Sequence, residues 1–172
     1  MTEKKHTICV LVANQFGVLA RVSGMFSARG YNISSLCVGE TDDPTVSRMT
    51  VIVRGDDSVL AQIMQQLNKL VDVIKVEDLT AASYVERELI MIRVAATGTV
   101  RSEVLGIVEI FRGKIVDLDA KCITVEVTGA QEKIQAFLEM MRGYGILEMV
   151  RTGEIAMARA ANNSASQIRV QE

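Results

Sequence analysis

The sequence predicts an α+β protein built from two consecutive ferredoxin-like βαββαβ domains, each a four-stranded antiparallel sheet with both helices on one face. Three observations predict it. Short β-branched runs alternate with helical apolar spacings, the order strand-helix-strand-strand-helix-strand occurs twice, and the second occurrence repeats the first at nearly constant offsets. The chain has 172 residues, 49% of them hydrophobic and 23% charged, which is enough for two small packed cores.

Ile8–Val12 is a short β-branched run suited to a central strand buried on both faces. Asn14-Gln15-Phe16-Gly17 reads as a turn. Val18, Leu19, Val22, Met25 and Phe26 then recur at helical spacing, and Gly30 stops that helix near Arg29. Tyr31–Gly39 is the second strand, Thr41-Asp42-Asp43-Pro44 a turn, and Ser47–Val53 the third strand. Asp56-Asp57-Ser58 can cap a second helix, whose apolar face is Val59, Leu60, Ile63, Met64, Leu67 and Leu70. Val73–Val76 is the fourth strand.

The second half repeats this pattern. Ile8, Val10, Val12, Val18, Val22 and Met25 match Ile90, Ile92, Val94, Val100, Val104 and Ile107 at an offset of 82 residues. Val51, Val53, Gly55, Leu60, Ile63, Met64 and Leu67 match Val125, Val127, Gly129, Ile134, Phe137, Leu138 and Met141 at an offset of 74. The shortening falls where the second half lacks the longer Thr41–Pro44 hairpin. The expected organisation is a first domain over 1–80, a linker over 81–88, a second domain over 89–160 and a small polar tail over 161–172. A sheet with helices on one face leaves its other face bare, so a dimer at least is expected; the alternative is that the two halves cover each other.

Several chemistries are excluded by composition. One histidine, no tryptophan and a net charge of −2 give neither a His-rich metal site nor a basic surface for phosphate backbones. The central strands carry no aromatic residues on which bases could stack. The first turn has no cysteine pair, and no phosphate-loop, nucleophile-elbow or zinc-protease motif occurs. His6 has no Cys, Ser or Asp placed to form a triad, and reads as a surface histidine. Cys9, Cys37 and Cys122 are far apart and odd in number, so a disulfide framework is not expected. The first residues lack the apolar core of a signal peptide and no run approaches a membrane span, so a cytoplasmic location is expected.

What remains is a binding site. The turn Asn14–Val18 leads into the first helix, whose N-terminal N–H groups and partial positive charge attract a carboxylate or phosphate. Gly17 lets the backbone approach a ligand closely. Asn32, in Gly30-Tyr31-Asn32-Ile33, offers an amide to an ammonium or carboxylate. A small amino acid suits these groups; the alternative is ordinary turn chemistry, since Asn and Gly favour turns in any case.

The run RVSGMFSARGYNISSLCVGETDDPTVSRMTV resembles the ACT domain of the small regulatory subunits of acetolactate synthase, also called acetohydroxyacid synthase. VERELIMIRV and EIFRGKIVD resemble the linker and second domain of that family, so the likeness runs from about His6 to Ala160. The resemblance implies a non-catalytic regulatory subunit, with no cofactor of its own, that binds a separate large catalytic subunit carrying thiamine diphosphate, Mg²⁺ and FAD. That partner condenses pyruvate with pyruvate or 2-oxobutyrate on the way to valine, leucine and isoleucine. The small subunit raises its activity and confers feedback inhibition by a branched-chain amino acid, valine first. ACT domains pair side by side, which implies a homodimer. Carried over by position, the effector residues are Asn14, Gly17, Val18 and Leu19 from one copy and Asn32 and Ile33 from the other. A free-standing ACT-domain amino-acid sensor acting on another protein is the alternative.

The turn departs from the family pattern. Family members often carry Glu-Asn-Glu-Ser/Ala-Gly-Ala-Leu, where this chain reads Ala13-Asn14-Gln15-Phe16-Gly17-Val18-Leu19. Two carboxylates able to meet a ligand ammonium are lost, and Val18 in place of a small alanine is expected to fill space near the ligand. Weaker valine feedback or a different effector is expected, unless the swaps lie outside a backbone-dominated pocket. Arg48, on the hairpin, is a candidate contact with the catalytic subunit, or a solvated arginine.

Overall fold

In the computed structural model, which describes residues 4–160, β1 (Lys4–Ala13) is followed by α1 (Val18–Ala28), β2 (Ile33–Glu40), β3 (Val46–Gly55), α2 (Asp57–Leu67) and β4 (Val73–Asp78). The second series is β5 (Tyr84–Ala95), α3 (Val100–Ile110), β6 (Lys114–Leu118), β7 (Cys122–Gly129), α4 (Gln131–Arg142) and β8 (Ile146–Arg151), with a short β9 (Ile155–Ala158) after it. The two sheets have the same antiparallel order, β2-β3-β1-β4 and β6-β7-β5-β8. This is the doubled βαββαβ architecture read from the sequence.

The alternation of side chains along a strand explains each core. In the first sheet Ile8, Val10 and Val12 of β1 and Met49, Val51 and Val53 of β3 face Val18, Val22 and Phe26 of α1 and Ile63 and Leu67 of α2. In the second, Ile90, Ile92, Val94, Ile123, Val125 and Val127 face Val104 and Ile107 of α3 and Ile134, Phe137 and Met141 of α4. The repeat extends to irregularities. The register of β1 against β4 shifts at Leu11/Val12, and that of β5 against β8 at Arg93/Val94; β2 shifts at Ile33/Ser35 and β6 at Ile115/Asp117. These pairs of positions keep the same spacing as the core residues, so both β-bulges are duplicated with the fold.

Three expectations need correcting. Among the described residues the chain divides into 4–85 with 155–160, and 86–154. Residues 84–88 of the expected linker are therefore strand, and 155–160 belong with the first unit. The unpredicted β9 pairs with β5, and the Arg159 N–H donates to the Ser83 carbonyl at 3.0 Å. Ala156 of β9 also packs with Cys9 and Leu79, so part of the first sheet's bare face is covered by the chain itself. Finally, His6 is buried, not on the surface: it lies within β1 opposite Val53, with Nε2 3.2 Å from the Gly55 carbonyl oxygen. Cys9, Cys37 and Cys122 are free thiols, and burial pushes the Cys9 thiol pKa up. The expected tail, 161–172, lies outside the described residues.

Candidate effector turn

The turn between β1 and α1 is fixed by backbone bonds from both sides. The Ala13 N–H donates to the Asp72 carbonyl at 2.8 Å and the Asn14 N–H to the Thr45 carbonyl at 2.7 Å. Gly17 then caps α1 with φ +82°, a left-handed conformation that a side chain would strain. No side chain caps α1 and its first turn holds no acidic residue. The Val18 N–H donates to the Gln15 carbonyl at 3.4 Å, and the Leu19 and Ala20 N–H groups precede the first helical bond, from the Arg21 N–H to the Gly17 carbonyl.

The sequence reading missed two charged groups at this turn. Arg21, one turn into α1, donates from Nε to Asp72 Oδ2 at 2.6 Å, and its Nη1 would stand 3.4 Å from a Cβ built on Gly17. Its guanidinium thus lies beside the helix N-terminus, with the Asp72 carboxylate balancing its charge. Asn14 Nδ2 donates to Glu40 Oε1 at 3.0 Å and to the Pro44 carbonyl at 2.9 Å. Both amide hydrogens are spent on Glu40 and Pro44, leaving the Asn14 oxygen as the side chain's acceptor. Glu40 brings a carboxylate to a turn that has lost two in sequence. Sheet order would have revealed it, because Ala13 pairs with Val46 and Glu40 with the adjacent Ser47.

The other expected residues fall in two places. Leu19 is exposed beside the turn, whereas the Val18 side chain is buried in the core and its N–H is given to the Gln15 carbonyl. The expectation that Val18 fills space near the ligand is therefore corrected. Asn32 and Ile33 follow the far end of α1, where Gly30 with φ +69° ends the helix. Asn32 is exposed and Ile33 is half-buried, pairing with Val53 at the end of β3. The helical residues 20–28 separate the two groups, roughly 14 Å along the axis, so one copy cannot assemble them around one small molecule. Arg48 is half-buried, with Nη1 3.0 Å from Cys9 Sγ, rather than solvated.

Comparison with known proteins decides the family. Residues 8–75 match the family described as "AHAS small subunit-like ACT domain" and residues 87–160 the family "Small subunit of acetolactate synthase". The chain belongs to the acetolactate synthase small-subunit family. It is 52% identical over 162 residues to the "Probable acetolactate synthase small subunit" of Methanothermobacter thermautotrophicus, covering 94% of this chain and 96% of that one. With the acetolactate synthase small subunit of Aquifex aeolicus it shares 50% identity over 157 residues, 91% of this chain and 82% of that one. Among solved structures, the acetolactate synthase small subunit of Thermotoga maritima superposes with a TM-score of 0.83 at 40% identity, covering 91% and 98% of the two chains. Family membership gives the chain a regulatory role and a large catalytic subunit as its partner. Among the described residues no helix is long and apolar enough to cross a membrane.

Proposed function

We propose that this protein activates the catalytic subunit of an acetolactate synthase and makes it respond to a branched-chain amino acid, valine first. The catalytic subunit would carry thiamine diphosphate, Mg²⁺ and FAD and condense pyruvate with pyruvate or 2-oxobutyrate; this chain would contribute sensing. The observation that carries the reading is the match of both halves of the chain, in order, to one family.

The turn suits an amino acid. Its carboxylate would take the open N–H groups of α1 beside Arg21, its ammonium would meet the Asn14 oxygen and Glu40, and an aliphatic side chain would lie on Leu19. Completing the site requires a second copy. β2 is an open edge of the first sheet, with Ile33 at one end and Glu40 at the other. Antiparallel pairing of β2 with its counterpart about a two-fold axis would bring residue 33 of one copy near residue 40 of the other, giving two equivalent sites. An effector held by both copies favours one dimer arrangement, and that preference is what couples binding to activity.

The test is to mix the protein with the thiamine-diphosphate-dependent catalytic subunit from the same organism and measure acetolactate formation with and without valine, leucine and isoleucine. Stimulation that one of these amino acids reverses is expected. A free-standing sensor would leave the catalytic subunit unchanged.

A further inference from the structure

The face of the first sheet turned away from α1 and α2 carries a groove of about 580 Å³. Its floor is apolar: Leu11 and Val46 from the sheet, Ile74 from β4 and Met157 from β9. Ile74 and Met157 are 59% and 62% exposed, a large apolar surface left to water. The rim carries Asp42 and Asp43, both exposed, and at its β2 end Glu40, whose carboxylate is held by Asn14. Asp43 is held ionised, its pKa lowered chiefly by the Thr45 hydroxyl and also by the Thr45 N–H. Among the described residues the one cation lining the groove, Arg48, reaches Cys9 with its guanidinium. An apolar floor under a negative rim matches a long basic side chain, whose aliphatic stem lies on apolar surface while its charged head meets carboxylates.

We propose that this groove docks a surface segment of the catalytic subunit in which a lysine or arginine is flanked by aliphatic side chains. The proposal rests on the functional reading above and names the surface that reading needs. Two further observations favour this partner over a second copy. The dimer pairing argued above uses the β2 edge and the ends of α1, not this floor. The wall of the groove is the hairpin between β2 and β3, which spans residues 41–45, whereas the equivalent connection in the second unit is residues 119–121. Asn14 ties that wall to the effector turn, so a segment seated in the groove and an amino acid at the turn would bias the same hairpin.

The experiment uses the full chain with the catalytic subunit. Ile74→Asp and Asp42→Lys should each raise the concentration needed for half-maximal stimulation about tenfold or more, while Val71→Asp, an exposed position outside the groove, should not. Circular dichroism and elution volume should stay native in all three. Stimulation by the unaltered protein should weaken with added salt, and Asp42→Lys should flatten that dependence. A photoreactive residue at position 157 should cross-link to a catalytic-subunit peptide with the stated pattern. Cross-linking only to another copy, or only to residues 161–172 of the same chain, overturns the proposal. If the unaltered protein gives no stimulation, the functional reading falls; if it stimulates and both groove variants match it, the groove alone falls.

Discussion

The two units build the same turn and then finish it in opposite ways. The Ala13 N–H meets the Asp72 carbonyl and the Ala95 N–H the Gly145 carbonyl; the Asn14 N–H meets the Thr45 carbonyl and the Ala96 N–H the Lys121 carbonyl. On this shared backbone the first unit places Asn14, with an amide that reaches the hairpin, and the exposed apolar Leu19. The second places the buried Ala96 and, at the position equivalent to Leu19, Arg101. Arg101 donates to the Ala96 and Asp119 carbonyls and so fastens the turn across its mouth. The helix that follows also differs: α3 has Glu103 in its first turn and α1 has no acid there. One duplicated scaffold thus holds a turn without a side-chain cap, beside the Arg21–Asp72 pair, in one unit and a turn fastened by Arg101 in the other. Duplication preserves the backbone anchors of the turn, while the cap conformation, left-handed at Gly17 and right-handed at Thr99, and a few side chains make the two turns chemically different.

The sharpest way to break this comparison is to strain each turn at its left-handed glycine, Gly17 at the α1 cap and Gly98 one residue before the α3 cap. Gly17 and Gly98 have φ of +82° and +57°, and a β-branched residue tolerates neither. Gly17→Val and Gly98→Val should each cost about 1–2 kcal/mol in urea unfolding. Only Gly17→Val should weaken valine binding, by at least about tenfold in isothermal titration. Loss of binding in both variants would show that the turns are not functionally distinct.

The exchange at Leu19 and Arg101 is the next test. Arg101→Ala should cost about 1–2 kcal/mol, because two backbone carbonyls lose a charged donor. Leu19→Arg should leave stability within about 0.5 kcal/mol at this exposed site while lowering effector affinity, as the cation of the second unit is brought to the first. Unaltered affinity would mean that closure by an arginine does not distinguish the turns.

The same comparison shows what could be read in the residues alone. Strand and helix order was legible because core positions repeat with period two in strands and about 3.6 in helices, and because both halves carry the pattern. The duplicated bulges were not, since a register shift leaves no mark on hydrophobicity when both strand faces are partly apolar. β9 escaped because four residues after a Gly-Glu turn look like a continuation of the second domain. His6 was misplaced because Lys4 and Lys5 hid the start of β1; counting back by two from Ile8 puts it on the core face. Asn14, Gly17 and Leu19 could be found from turn chemistry. Glu40 and Arg21 could not, because they meet the turn only through sheet order and helix pitch.

Asn14→Ala gives a smaller stability change. The two hydrogen bonds to Glu40 and Pro44 are exposed, so a loss of about 1 kcal/mol or less is expected. Its functional effect should be larger: valine should still bind, more weakly, but inhibition of the complex should fall further than occupancy does. The matching change in the second unit, Ala96→Ser, adds a hydroxyl to a fully buried site and should alter stability without altering the valine response.

The smallest effect concerns the two acidic turns that close the hairpins. Asp43 accepts from both the N–H and the hydroxyl of Thr45, at 2.8 and 2.6 Å, whereas Asp119 accepts from the Lys121 N–H at 2.9 Å. The hydroxyl bond is the larger cause of the lowered Asp43 pKa. A carboxyl whose pKa is lower folded than unfolded stabilises the fold above its unfolded value, near 3.8, and that contribution disappears as pH falls through the folded value. Hydrogen exchange of the Thr45 amide should therefore stay slow from neutral pH to about pH 4 and become relatively faster below, after correction for the intrinsic rate. Thr45→Val removes the hydroxyl and keeps the N–H, so the folded pKa moves back toward the unfolded value and the acid loosening should be smaller and complete at a higher pH. Loosening of unchanged extent would assign the hairpin's acid sensitivity to the backbone bond, which the Asp119 turn also has, and would remove this difference between the two units.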